Sequence, residues 1–201
     1  MDSSFAIEQE EGCRILRLQS SDGANRLTRG CLRQLTDYLQ SCAATRQSRS
    51  LVIAGNDKFF SVGADLREIR ALDGPSAYEF SKLGQGLMSA IERFPGPVYA
   101  AISGYCMGGG LDMALACHYR IASHHAVFGH RGAALGLITG WGGTQRLPRL
   151  VGKGRALEIF VAADKIRAER ALSIGLIDAI ADDPVAEAVR RVAVQSRKSC
   201  G

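Results

Sequence analysis

The sequence predicts an α/β fold, in which strand-like and helix-like segments alternate along all 201 residues. Two apolar runs typical of buried strands, SLVIAG (50–55) and VYAAI (98–102), are each followed by a glycine turn and a helix-like segment. Hydrophobic residues make up 46% of the chain and charged residues 22%, which suits a soluble domain with a sizeable core. Strands that alternate with helices predict βαβ units and a largely parallel sheet.

The first half of the chain predicts a hairpin, a buried strand and three helices. FAIEQ (5–9) and CRILRL (13–18) alternate in hydrophobicity around Glu11-Gly12, which is typical of a β-hairpin. Thr28 is placed to cap a helix that carries leucines at helical spacing. The other two helical segments are NDKFFSVGADLREIRAL (56–72), which begins as a loop, and AYEFSKLGQGLMSAIERF (77–94).

The second half continues the alternation and ends in helices. A glycine-rich loop region is predicted over 126–147, and a mostly helical segment, interrupted at Gly152 and Gly154, over 148–163. The remaining predicted elements are a strand at YRIAS (119–123), a short helix at 167–175, a strand or extended segment at LIDAI (176–180) and a last helix at 184–195.

Charge restricts the kinds of partner. The net charge of +5 suits an anionic partner, such as nucleic acid, a membrane surface or a phosphate-bearing small molecule. Lysine and arginine are scattered and aromatic residues make up only 6% of the chain, so we expect no nucleic-acid partner. No apolar run approaches the ~20 residues of a membrane span. We therefore expect neither a signal peptide nor a membrane partner.

Cysteine usage indicates the compartment. None of the six cysteines forms a CxxC pair, and no cysteine and histidine set has zinc spacing. Reduced thiols in a cytoplasmic protein explain them best, and we expect no metal site.

Two glycine turns are the places where the sequence offers backbone amides to a ligand. One is GYCMGGGLDMALA (104–116) and the other is SVGADL (61–66). The first amides of a helix have no acceptor inside it, and the helix dipole there favours negative charge. One amide from each turn could converge on one carbonyl oxygen. From the spacing alone, two ordinary strand-to-helix connections remain the alternative, because GxxxxGK[ST] and GxGxxG are both absent.

The chain resembles the crotonase superfamily, also called enoyl-CoA hydratase/isomerase. The matching stretches are KFFSVGADLREI (58–69), GYCMGGGLDMALA (104–116) and FGHRGAALGLITGWGGTQRLPRLVGKGRALE (128–158), with a weaker match at DGANRLT (22–28). The resemblance implies one domain with a ββα spiral core over about 1–160 and a helical part over about 161–201.

A thioester of coenzyme A is the ligand that the resemblance implies, as part of the substrate and with no separate cofactor. In this family two backbone N–H groups hold the thioester oxygen and stabilise the enolate formed from it. By motif position these belong to Ala64 and Gly109. A donor of this kind stabilises a transition state by roughly 3–4 kcal/mol.

The resemblance also assigns residues to the CoA and acyl groups. Lys58 and Arg67 stand where cations lie near the CoA phosphates, although a solvated surface role is the alternative for each. Ala24 corresponds to a position near the adenine, and Thr139 is expected in the acyl pocket. The residues assigned to CoA or substrate are Ala24, Lys58, Ala64, Asp65, Leu66, Arg67, Gly109 and Trp141.

The acid–base group departs from the family pattern. Enoyl-CoA hydratases use two glutamates; Asp112 stands at the first position and Gly132 at the second. No acidic residue occurs between positions 123 and 157. Asp112 is the expected acid or base, although an acid in a first helical turn also stabilises the helix. His130, beside the vacant position, is the other candidate, or else a polar wall residue.

The leading expectation is hydration of an enoyl-CoA, or the reverse, with Asp112 as acid and base. An isomerase, hydrolase or ring-modifying lyase using His130 or a water molecule is the alternative, and the glycine at 132 is similar to the 1,4-dihydroxy-2-naphthoyl-CoA synthase branch. A catalytically silent acyl-CoA-binding subunit is the alternative from another class. The resemblance implies a homo-oligomer, a trimer or hexamer. The chain ends at VAVQSRKSCG, so we expect a shortened helical part.

Overall fold

The structure is a computed structural model that describes residues 4–10, 12–45 and 50–198. The strands are β1 (Phe5–Glu10), β2 (Cys13–Leu18), β3 (Arg26–Leu27), β4 (Leu51–Ala54), β5 (Phe59–Ser61), β6 (Gly63–Ala64), β7 (Val98–Ile102), β8 (Tyr105–Met107), β9 (Tyr119–Ala122), β10 (Val127–Gly129), β11 (Ile166–Arg167) and β12 (Ala179–Ile180). The helices are α1 (Arg29–Thr45), α2 (Leu66–Arg70), α3 (Gly74–Glu92), α4 (Gly109–Ala116), α5 (Gly143–Val151), α6 (Lys153–Ala162), α7 (Ala168–Ser173) and α8 (Pro184–Lys198), with a 3-10 turn at Ala133–Leu135.

The chain winds as a spiral of strand, strand and helix. Strands β4, β7 and β9 join a six-stranded sheet of order β1-β2-β4-β7-β9-β12, while β5, β8 and β10 join a four-stranded sheet of order β11-β10-β8-β5. A helix follows each such pair of strands in the chain. Only β1 and β2 pair antiparallel within the larger sheet. This arrangement confirms the predicted parallel sheet and the ββα spiral.

Both faces of the larger sheet are buried, because helices cover each side. Along β4, Leu51 and Ile53 face the main core with α1, α3 and α4, whereas Val52 and Ala54 face a second cluster. This alternation is the two-residue period of a strand with apolar residues on both faces. The residues of α8 that complete the second cluster are Ala188, Val189 and Val192.

Several local predictions are confirmed. Strands β1 and β2 form the predicted hairpin, with Phe5 opposite Leu18; Glu11 of its turn lies outside the described residues. The backbone N–H of Cys31 donates to Oγ1 of Thr28 at 3.2 Å, as expected for a capping threonine. The leucines of α1 at helical spacing, Leu32, Leu35 and Leu39, are buried.

A short strand that the sequence did not predict stands between each buried apolar strand and its glycine turn. The two are β5 after β4 and β8 after β7, each three residues long. Gly104 makes the second change of direction at φ +61, and a methyl group built on it would lie 2.0 Å from the Lys58 carbonyl oxygen. The N–H of Tyr105 donates to that oxygen at 2.9 Å and brings β8 beside β5.

Three boundaries in the second half also differ from the prediction. The predicted loop over 126–147 contains β10, and α5 begins inside it at Gly143. Gly152, at φ +86, separates α5 from α6, but Gly154 lies within α6 and does not interrupt it. Only Ala179–Ile180 of the LIDAI segment pairs as a strand. Within the parts of the chain described, no helix has the length and apolar character needed to cross a membrane.

Candidate active site

A cavity of about 880 Å³ opens where the two glycine turns meet the segment before α5. Ala64, Gly109, Asp112, His130 and Trp141 all line it. The lining contains charged and apolar groups. The charged residues include Asp22, Arg26, Asp65 and Arg67, and the apolar residues include Ile69, Leu72, Phe80, Leu137 and Ile138.

The two glycine turns are in direct backbone contact. A methyl group built on Gly63, which has φ +89, would lie 2.7 Å from the Gly109 nitrogen. Gly109 is the first residue of α4, so its N–H has no acceptor within that helix. The preceding residue, Gly108, adopts φ 51 and ψ −120, a conformation that favours glycine. Ala64 and Gly109 therefore reach one cavity from adjoining backbones, and their role as carbonyl donors stays a prediction.

Asp112 lies in the first turns of α4 with 1% of its surface exposed. The hydroxyl of Thr139 donates a hydrogen bond to its Oδ2. The other oxygen, Oδ1, lies 3.3 Å from Nε2 of His130, but no hydrogen bond joins the two atoms. Neither atom has a hydrogen-bond partner among the described residues. Buried polar atoms are normally paired, so this pair is a natural contact for a polar group of a ligand.

Gly143, the first residue of α5, makes room for this carboxylate. A methyl group built on it would lie 2.1 Å from Oδ1 of Asp112 and 3.1 Å from Nε2 of His130. Sequence reasoning missed this position, although the GWGGTQRL stretch contains it. Thr139, expected in the acyl pocket, lines the cavity, and its hydroxyl also binds the carboxylate, a contact that the sequence did not predict.

Among the described residues that line the cavity, no second carboxylate stands beside Asp112. The loop that starts at Gly132 closes on itself, because the Leu137 N–H donates to the Gly132 oxygen at 2.9 Å. A methyl group built on Gly132 would lie 2.7 Å from the Leu137 oxygen, so this loop leaves no space for a larger side chain. The other two cavity carboxylates, Asp22 and Asp65, are paired with arginines.

The carboxylate of Asp65 holds the segment assigned to CoA together through several hydrogen bonds. It caps α2 by accepting from the Arg67 N–H at 2.8 Å, and it binds the Arg67 guanidinium at 2.7 Å. Leu66, the first residue of α2, is 55% exposed at the cavity wall. A second cavity of about 800 Å³ adjoins this segment and shares Asp22, Arg26, Asp65 and Arg67 with the first.

Two residues assigned to CoA lie outside both cavities. Ala24 is buried, and its carbonyl accepts from the Val62 N–H at 3.1 Å, which ties its loop to the first glycine turn. Lys58 is exposed before β5, where its carbonyl accepts from Tyr105. The structure thus brings Arg67 to the cavity but not Lys58.

Arg67→Ala is expected to raise the pKa of Asp65. Hydrogen bonds from the Arg67 side chain and N–H lower this pKa from 3.8 to about 2. Because the folded-state pKa is the lower one, the ionised carboxylate stabilises the fold above pH 3.8, and this contribution is lost as the pH falls through about 2. The Arg67 side chain is 86% exposed, so solvent screens the pair and we expect only a small change in stability.

The measurement is a pH titration of the Asp65 carboxyl carbon by NMR. The midpoint should move partway towards 3.8, since the N–H of residue 67 still donates in the variant. Arg70→Ala, at an exposed position of the same helix, is the matched control and should leave the midpoint unchanged. An unchanged midpoint in Arg67→Ala would show that the Arg67 side chain does not lower the pKa of Asp65.

The described residues contain no group of three or more His, Cys, Asp or Glu side chains that could hold a metal ion. The five cysteines within them are buried, and no disulfide joins them. Burial raises the pKa of Cys117 to about 12, so this thiol stays protonated at neutral pH and is a poor nucleophile.

Comparison with known proteins decides the family. The enoyl-CoA hydratase/isomerase family profile matches residues 8–199. The chain belongs to the enoyl-CoA hydratase/isomerase family. A probable enoyl-CoA hydratase of Bacillus subtilis (strain 168) is 43% identical over 161 residues, which are 80% of this chain and 62% of that protein. A crotonyl-CoA hydratase of Syntrophomonas wolfei is 37% identical over 178 residues, 88% of this chain and 68% of that one.

Solved structures of similar proteins agree with the fold. Pseudomonas aeruginosa DspI superposes with a TM-score of 0.91 at 33% identity, covering 98% of this chain and 81% of that chain. An enoyl-CoA hydratase of Thermoplasma volcanium gives 0.89 at 33% identity, covering 95% of this chain and 76% of that one. This enoyl-CoA hydratase/isomerase family member thus spans 62% and 68% of the length of the two relatives named above.

Proposed function

We propose that the protein binds an acyl-CoA and adds water to an enoyl-CoA, or removes it, through a thioester enolate. The observation that carries the proposal is the contact between the two glycine turns beside the buried Asp112 carboxylate. The relatives named as a probable enoyl-CoA hydratase and a crotonyl-CoA hydratase support the same chemistry.

In the proposed reaction the N–H groups of Ala64 and Gly109 donate to the thioester oxygen. A water oxygen bonds to the β-carbon while one of its protons passes to Asp112, and the alkene electrons move to the thioester oxygen as an enolate. Asp112 then returns a proton to the α-carbon, and the carbonyl re-forms. Backbone donors suit this sequence because they oppose the charge that develops on the oxygen.

Binding would use both kinds of lining residue. Arg26 and Arg67 would face the CoA phosphates, since guanidinium groups bind phosphate well. The apolar residues of the lining would receive the acyl chain. CoA enters this proposal as part of the substrate, with no separate cofactor.

The biological setting is also a proposal. We propose a homo-oligomer, a trimer or hexamer, acting in the cytoplasm without a nucleic-acid or membrane partner. The described cysteines are buried and form no disulfide with one another, which supports a reducing compartment. Light scattering after gel filtration measures the oligomer, and titration with RNA at low salt tests the nucleic-acid alternative.

A second reaction class is favoured by one observation. Asp112 is the cavity carboxylate that no arginine holds within the described chain, and the second glutamate position is Gly132. A single group that removes and returns a proton suits an isomerase. A hydrolase or ring-modifying lyase using His130 or a water molecule belongs to the same alternative.

The deciding experiment follows the absorbance of the conjugated thioester of crotonyl-CoA. Loss of that absorbance with formation of the 3-hydroxyacyl thioester supports hydration. Turnover of a 3-enoyl-CoA without hydration supports the isomerase instead. Binding of CoA esters without turnover at high protein concentration supports a catalytically silent subunit and overturns the proposed reaction.

A further inference from the structure

The indole of Trp141 fills a gap between α3 and α4 at the cavity. A methyl group built on Gly84 of α3 would lie 2.2 Å from its Nε1, and one built on Gly109 of α4 would lie 2.2 Å from its Cζ3. Both glycines are therefore in contact with the ring and have no room for a side chain. The indole is 4% exposed, and the Phe80 ring packs on it edge-to-face at 5.3 Å between centroids.

The backbone that carries the indole is fastened to α3. The carbonyl of Gly140 accepts from Oγ of Ser81 at 2.8 Å and from Nε2 of Gln85 at 2.7 Å. Nε2 of Gln85 is also 3.0 Å from Oγ of Ser81, so the three groups hold one another. A wall held at its backbone and at two opposite edges of its ring is a rigid boundary for a ligand.

We propose that Trp141 limits the length of the acyl group, so that the site takes short, crotonyl-sized acyl chains. The inference rests on the proposed function, because it places the thioester oxygen at the Gly109 N–H. The benzene edge of the indole touches that same glycine. The carbons beyond the carbonyl therefore meet the ring at once, and a longer chain finds the gap between α3 and α4 already filled.

The test uses the fluorescence of Trp141, the single tryptophan of the chain. Butyryl-CoA, decanoyl-CoA and free CoA are titrated separately, since saturated thioesters bind without hydration. Butyryl-CoA should change the emission, and free CoA should bind, as calorimetry would show, without changing it. Decanoyl-CoA should bind at least tenfold more weakly than butyryl-CoA. Equal affinities for the two thioesters, or butyryl-CoA bound with unchanged emission, overturn the inference.

Trp141→Ala opens the gap and should remove the preference for the short acyl chain. Each methylene buried in the new space is worth roughly fourfold in affinity, so decanoyl-CoA should gain at least tenfold over butyryl-CoA by calorimetry. Trp141→Phe is a smaller change and should shift the relative affinity for the two thioesters in the same direction. It replaces the alanine variant in this test if that variant does not fold. Leu157→Ala, at a 64% exposed position of α6, is the control and should change neither affinity. An unaltered preference in both Trp141 variants overturns the inference.

The two proposals fail in different ways. If no CoA thioester binds and crotonyl-CoA is not hydrated, the proposed function is wrong. If crotonyl-CoA is hydrated but long and short thioesters bind equally well, only the role of Trp141 is wrong.

Discussion

Asp112→Asn is expected to lower kcat for crotonyl-CoA hydration by about 10²- to 10⁴-fold, the contribution typical of a general acid or base. Asparagine keeps the size of the side chain and an oxygen that can accept from Thr139, but it cannot carry the transferred proton. The oxyanion donors belong to the backbone and are not removed. The affinity for butyryl-CoA should therefore stay within a few-fold of the parent value.

The controls separate Asp112 from its neighbour. Asp182→Asn changes a fully exposed acid and should leave kcat unchanged. His130→Asn tests the other candidate, whose Nε2 lies 3.3 Å from the Asp112 carboxylate. If His130→Asn lowers kcat by the larger factor and Asp112→Asn lowers it little, the histidine carries the proton. The role assigned to Asp112 is then wrong.

The parts of the fold that the sequence predicts are those with local signals. Strands β4 and β7 are recognisable because both faces of the larger sheet are covered, which makes their apolar runs continuous. The helix α8 is recognisable from its apolar period and from Pro184 at its start. The pairing of β8 with β5 is not, because YCM is three residues long and carries an exposed tyrosine.

The residues of the candidate site also divide into those with a local sequence signal and those without one. The two glycine turns and Asp112 stand out in the sequence, and the structure brings them to one cavity. Gly84 and Gly143 do not stand out, because each is required by contact with a side chain from a distant part of the chain. The role of Thr139 was missed for the same reason: a hydroxyl that binds a buried carboxylate has no local pattern.

Gly109→Ala is expected to reduce kcat by about 10²- to 10³-fold, the cost of losing one oxyanion donor. The new methyl group would lie 2.2 Å from Cζ3 of Trp141, so the indole or the start of α4 has to shift. Either movement displaces the N–H of residue 109 from the carbonyl oxygen. Initial rates of crotonyl-CoA hydration, with circular dichroism to verify folding, measure the effect.

A double variant identifies the cause of that loss. Since Trp141→Ala removes the clashing ring, Gly109→Ala should cost much less in its presence than in the parent, a coupling of more than about 1 kcal/mol in activation free energy. Gly86→Ala is the matched control, because α3 leaves open space at that position and alanine favours a helix. Activity that survives Gly109→Ala at the parent level would show that this N–H does not hold the thioester oxygen, and the enolate proposal would fail with it.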